Sequence, residues 1–165
     1  MKIRIKASVD CVSSAPVILD PNTADPRLVL SERFNYYECV LGSEGFNSGT
    51  HCWDVEVKES SVWNLGVTTA SNQRKGSVFF NTDVWSVQYN VLSNLFRRPF
   101  GYGFLVKQKL DRVRVNLDYD GGTVSFSDPV TNTHLHTFTT TFTHTLFPFF
   151  RCCFDSLRIL PVNSQ

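Results

Sequence analysis

A chain of 165 residues is long enough to bury one core and too short for two independent ones. Its formal net charge of +1, with 42% hydrophobic and 19% charged residues, excludes a disordered tail and gives no global pull toward nucleic acid or a membrane. No apolar run approaches the roughly 18 residues of a membrane span, and 14 Phe among abundant Val and Thr favour sheet over helix.

In chain order, Met1 to Asp10 (MKIRIKASVD) is basic with alternating Ile and lacks the apolar segment and cleavage site of a signal peptide. It reads as the tail of a preceding segment or as an edge strand. Asp20-Pro21-Asn22 and Asp25-Pro26 read as turns, and Gly42 to Gly49 as a loop holding three glycines. Three strands follow. Trp53, Val55 and Val57 alternate with Asp54, Glu56 and Lys58; Trp63, Leu65 and Val67 with Asn64, Gly66 and Thr68; Trp85, Val87 and Tyr89 with Ser86, Gln88 and Asn90. In each, the large apolar residues share a face that points into a core. Between Arg112 and Ser127, Val113, Val115 and Leu117 alternate with polar residues, meet Asp120-Gly121-Gly122, and resume at Val124 and Phe126. Asp-Gly supplies the positive φ that a tight turn needs, so this is a β-hairpin. Asp128-Pro129 follows it, and Pro148 and Pro161 mark later ends. Thr137 to Thr145 is ambiguous: Phe138, Phe142 and Leu146 have helical spacing, whereas six Thr argue for strand or extended loop. Short strands with a turn about every ten residues predict an all-β sandwich or barrel, with no internal repeat or linker.

Catalysis finds no residues to work with. The chain has no G-x-S-x-G, Walker loop, G-x-G-x-x-G or H-E-x-x-H, so it is not expected to be an enzyme or to carry a cofactor. Asp118 and Asp120 are explained by the turn beside them. His134 and His136, two apart on a strand, share a face and could chelate a metal, but the favoured reading is a half-exposed polar face with no metal. Cys11, Cys39, Cys52, Cys152 and Cys153 are odd in number with two adjacent, unlike a secreted disulfide framework, and no Asn-x-Ser/Thr acceptor occurs. A reducing cytoplasm is expected.

One segment departs from the pattern. Asn94 to Phe104 combines Phe96, Phe100, Tyr102 and Phe104 with Arg97 and Arg98 on a Gly/Pro-rich background. From Arg97 to Arg114 six basic residues (Arg97, Arg98, Lys107, Lys109, Arg112, Arg114) face Asp111 alone, a local charge of +5. Exposed aromatic and Arg side chains anchor protein partners; interleaved with basic residues they also stack nucleic-acid bases. Protein is favoured over nucleic acid, and the alternative is a loop whose Phe side chains cover the core edge.

Three strings together resemble the PRY-SPRY, or B30.2, family: Leu19-Asp20-Pro21 is similar to its LDP motif, Trp53-Asp54-Val55-Glu56-Val57 to WEVEV, and Leu117-Asp118-Tyr119-Asp120 to LDYE. The connecting text is similar too, from Val40 to Gly49 (VLGSEGFNSG), at Trp63 to Val67, Arg74 to Gly76 and Leu146 to Phe150. Asp128 to Phe138 looks most like fish members, in tripartite-motif ubiquitin ligases and NOD-like receptors. The resemblance covers residues 16–162, with PRY at about 16–38 and SPRY at about 39–162, between an N-terminal extension (1–15) and a tail (163–165).

It implies a bent two-sheet antiparallel β-sandwich of the concanavalin A-like jelly-roll type, reading a protein ligand or ubiquitination substrate through a loop-built groove. Carried over individually, the family's binding positions fall on Asn64, Gln88, Asn90 and Phe154, and the basic-aromatic loop adds Phe96, Arg97, Arg98, Phe100 and Tyr102. Period 2 independently sets Asn64, Gln88 and Asn90 on the face opposite the core tryptophans, available to a ligand. Three departures stand out. Gln88 and Asn90 replace an aromatic pair of an antibody-binding member, and Cys52 replaces a Tyr. Ser31-Glu32 runs into Arg33-Phe34 where relatives carry about twenty more residues, a shortened PRY. The implied parent is a tripartite-motif ligase of innate immunity, with a fish NOD-like receptor as alternative. Ubiquitin transfer and oligomerisation would then belong to domains outside this chain.

Overall fold

The alternating segments fold as strands. The computed structural model describes residues 2–6, 11, 19–30, 36–42, 44–58, 62–69, 83–90, 102–153 and 158–159, with side chains described at 11, 44–58, 62–69, 83–89 and 103–150. Among them are β1 (Lys2–Lys6), β2 (Leu19–Leu30), β3 (Tyr36–Gly42), β4 (Thr50–Glu56), β5 (Val62–Thr68), β6 (Val84–Asn90), β7 (Tyr102–Leu105), β8 (Arg112–Asp118), β9 (Thr123–Asp128), β10 (Thr133–Thr139), β11 (Phe147–Cys153) and β12 (Arg158–Ile159). They form two six-stranded sheets, ordered β10-β9-β8-β4-β1-β12 and β2-β3-β11-β5-β6-β7. Pairing is antiparallel except for β1 with β12 and β6 with β7.

The expected strands appear as β4, β5 and β6, and the expected hairpin as β8–β9. Its turn works as the residues require. Gly122 takes φ 73°, where a Cβ would collide with the Thr140 carbonyl. The Asp118 carboxylate accepts the Gly121 N–H (2.8 Å), and Asp120 accepts the Gly49 N–H (3.0 Å). Thr137 to Thr145 resolves as the end of β10 followed by irregular chain. Six Thr outweigh the helical spacing of three apolar residues.

Several expectations need correction. β1 is not at an edge: it pairs with β4 (Arg4↔Glu56, Ile5↔Val55, Lys6↔Asp54) and has β12 on its other side. Pro21 and Pro26 do not end the extended chain. They lie within β2, the outermost strand of its sheet, whose register against β3 shifts between Asp20 and Asp25 and again between Asp25 and Val29. An edge strand with bulges has spare N–H positions where proline's missing donor costs nothing. Pro148 likewise sits inside β11, one residue from its start.

Both sheets supply the core. Trp53, Val55, Val113, Val115, Leu117, Val124 and Phe126 come from one, and Trp63, Leu65, Val67, Val87 and Phe150 from the other. Burying each contributes roughly 1.5–3 kcal/mol. Trp85 meets Phe142 edge-on at 5.3 Å, so the Thr-rich stretch closes one end of the core.

The outer face of β4 is also dry. Asp54, which alternation marks as a solvent position, is 3% exposed and takes two bonds from the Arg114 guanidinium across the β4–β8 ladder, at 2.8 and 2.9 Å. Beside it Cys11 and Cys52 form a disulfide, their Cα atoms 5.3 Å apart. This corrects the expectation of reduced thiols: 41 residues separate the two in sequence, and only the sheet brings them together.

Candidate functional site

On β5 and β6 the apolar residues pair across the ladder and face inward: Trp63 with Tyr89, Leu65 with Val87, Val67 with Trp85. The register therefore sets Asn64 beside Gln88 and Gly66 beside Ser86 on the opposite face. A Cβ at Gly66 would run into the Trp85 carbonyl, so this position keeps the two backbones close. β11 flanks the row on the other side, with Arg151 paired to Asn64.

The sequence expectation that this face stands open is not what Asn64 and Gln88 show. Asn64 is 2% exposed, Gln88 6% and Ser86 fully buried. Yet both amide atoms of Asn64, the Ser86 hydroxyl and the Gln88 amide oxygen make no hydrogen bond. Each such buried, unpaired group costs about 1–3 kcal/mol, and native proteins hold few of them. A row of four orphaned polar atoms on neighbouring strands is the strongest chemical anomaly among the described residues. Ser86 is the member that sequence reasoning passed over. Its signal was available: it shares the polar alternation of Gln88.

The other expected site residues divide by location. Asn90 ends β6 opposite Val62, and Tyr102 opens β7 opposite Trp85, with only their backbones described. Phe96, Arg97, Arg98, Phe100 and Phe154 lie outside the described residues. Of the basic stretch, Lys107 and Lys109 are exposed and Arg112 is half-buried, whereas Arg114 is tied to Asp54.

The histidines do not assemble. His134 pairs with Ser127 but His136 with Phe126, a register shift that opposes two residues of β10 to one of β9. This β-bulge turns His136 to the core side and leaves His134 on the outer side, so the expected shared face is lost. His136 stacks on Phe104 at 4.5 Å and meets Phe138 at 4.4 Å. Burial, then the neighbouring His134, holds its imidazole below the usual histidine range. His51 is buried on Phe46, ring centroids 3.7 Å apart, with Nε2 bonded to the Ser48 carbonyl at 2.8 Å. Among the described residues one group of donors has metal-like proximity, Cys11, Cys52 and Asp54, within 4.8 Å of one another. Its sulfurs are bonded together and its carboxylate is held by Arg114.

Among known proteins, the SPRY domain model matches residues 50–160. Butyrophilin subfamily 2 member A2 of Mus musculus is 36% identical over 84% of this chain and 31% of its own length. The E3 ubiquitin-protein ligase TRIM69 of Mus musculus is 37% identical over 83% of this chain and 32% of its own. The chain thus spans about a third of the length of these curated relatives. Among solved structures, the TRIM65 PSpry domain superposes with a TM-score of 0.52 at 18% identity, covering 85% of this chain and 90% of that one. Stonustoxin gives 0.53 at 22% identity, covering 85% of this chain and 27% of its own. At those identities the likeness is one of fold. Among the described residues no helix is long and apolar enough to cross a membrane.

Proposed function

The chain belongs to the SPRY domain family, and on that premise we propose that it is a protein-recognition module whose reading surface includes Asn64, Ser86 and Gln88. The observation that carries this is the row of buried polar atoms without partners. A protein gains nothing in stability from such groups, and a ligand offering complementary donors and acceptors would recover their cost on binding. Asn90, Tyr102, Phe154 and the loop residues Phe96, Arg97, Arg98 and Phe100 extend this surface in our reading, which for them rests on the sequence.

The parent protein favoured by this reading is a tripartite-motif E3 ligase, supported by the similarity to TRIM69. This chain would select the substrate and a separate domain would transfer ubiquitin. An innate-immune setting belongs to the same reading, whereas the Cys11–Cys52 disulfide weighs against the reducing cytoplasm expected from the cysteine count. A nucleic-acid ligand is disfavoured because Arg114, one of the basic cluster, is already committed to Asp54.

The test is quantitative affinity capture with the wild-type chain and with an Asn64→Leu/Gln88→Leu variant of unchanged melting temperature. Proteins retained by the wild type and lost by the variant support the assignment. An identical retained set rejects it.

A further inference from the structure

A second surface lies away from the Asn64–Gln88 row. Among the described strands, β7 is the last of one sheet and β10 the last of the other. Where these two edges approach, a groove of about 280 Å³ opens between Phe104, Leu105 and Val106 on one wall and Thr133 and Leu135 on the other, with Lys107, Gln108 and His134 around it. Its volume falls just under that of ordinary small-molecule sites, roughly 300–1,000 Å³, and suits one or two side chains of a longer ligand.

The walls have reasons for their shape. Val106 donates its N–H to the Gln88 carbonyl (2.8 Å), which continues the β7 pairing one residue past the strand. Phe104 and Leu135 are partly buried against the core, and the Phe104–His136 stack joins the two edges. Leu105 instead stays 38% exposed, one of two large apolar side chains so exposed among the described residues. The bulge at His134/His136 sets Leu135 into the wall and leaves His134 outside.

The one full charge on the groove's lining is positive. It is that of the exposed Lys107; no carboxylate lines the groove, and exposed Lys109 lies two residues on, outside the lining. On the β10 side Asp128, which ends β9, spends both oxygens on its own turn, accepting from the Val130 N–H (2.9 Å) and the Thr131 hydroxyl (3.0 Å). Asp111 is exposed on the chain beyond Lys109 and is not part of the lining.

We propose that this groove binds an extended acidic peptide segment of a partner protein, which inserts one bulky aliphatic side chain against Leu105 and Leu135. Its carboxylates meet Lys107 and Lys109. The outer main-chain edges of β7 and β10 offer an extended backbone the N–H and C=O groups by which edge strands recruit a further strand.

The probe is a fluorescein-labelled peptide DEDLIEDE, titrated with the 165-residue chain and followed by fluorescence anisotropy. Controls are KKKLIKKK, DEDGGEDE and an unlabelled (dT)12 competitor. The proposal expects saturable binding of DEDLIEDE, at least tenfold weaker binding of both control peptides, and no displacement by (dT)12. Leu105→Glu and Lys107→Glu, both at exposed positions, should each weaken the probe tenfold or more without changing the melting temperature. Asn64→Leu/Gln88→Leu should leave it unchanged, which separates this groove from the surface proposed above. Equal binding by Leu105→Glu, equal binding of DEDGGEDE, or displacement by (dT)12 would each overturn the proposal.

Discussion

The Asp54–Arg114 pair gives the sharpest test of how the outer face of β4 is held. Side-chain exposures are 5% for Asp54 and 12% for Arg114, and two short hydrogen bonds link them. Replacing Asp54 by Ala leaves a guanidinium in a dry site with its carboxylate gone. Breaking a buried pair from one side costs about 3–5 kcal/mol. At roughly 2–4 °C per kcal/mol for a chain of this size, the melting temperature should fall by about 6–20 °C. Arg114→Met should cost a similar amount. The double variant should cost less than the two added together, by about 2 kcal/mol, because neither charge then remains buried. Urea titration followed by fluorescence suits the measurement, since Trp53, Trp63 and Trp85 are all buried. A loss under about 1 kcal/mol for Asp54→Ala, with additive singles, is the behaviour of a solvated surface pair and would refute the reasoning.

Breaking the Cys11–Cys52 bond, which closes a separation of 41 residues, should remove up to about 4 kcal/mol on the chain-entropy estimate. Cys11→Ser should melt where the reduced wild type melts and ignore dithiothreitol; a wild type that melts alike before and after verified reduction would contradict this. Asn64→Leu and Gln88→Leu should each hold or raise the urea midpoint, since the first removes an unpaired buried amide and the second an unpaired buried amide oxygen. A loss above about 1 kcal/mol would mean that the amides are satisfied in the native fold. His136 carries a folded-state pKa below its unfolded value of 6.5. The unfolded chain therefore binds the extra proton, so this group's stability is complete above pH 6.5 and is lost as pH falls through the folded pKa. His136→Gln should flatten that acid limb, and an unchanged pH profile would count against it.

The proposed binding surface is less legible in the sequence than the fold. Alternation located β4, β5, β6 and the β8–β9 hairpin because one buried face per strand is a local property of the chain. Turn chemistry failed at Pro21 and Pro26, where an edge position outside the reach of local pattern makes proline harmless. Alternation failed at His134 and His136, where one extra residue in β10 breaks the period on which the shared face depended.

Asn64 and Gln88 show the same division at the proposed site. Their residue types and spacing put them on the face opposite Trp63 and Trp85, and the register of β5 against β6 agrees. That they are buried rather than open, that Ser86 joins them, and that both Asn64 amide atoms, the Ser86 hydroxyl and the Gln88 amide oxygen lack a partner lie beyond local pattern. The Cys11–Cys52 bond and the Asp54–Arg114 pair arise in the same way, each joining residues at least 41 positions apart. Period and turn chemistry, which act over a few neighbouring residues, determined that this chain is all-β and which face of each strand is apolar, and its short motif strings carried the resemblance to the SPRY family. Which polar residues are dry, which are paired and where a groove opens depended on contacts between strands from opposite ends of the sequence, and only the assembled sheets decided them.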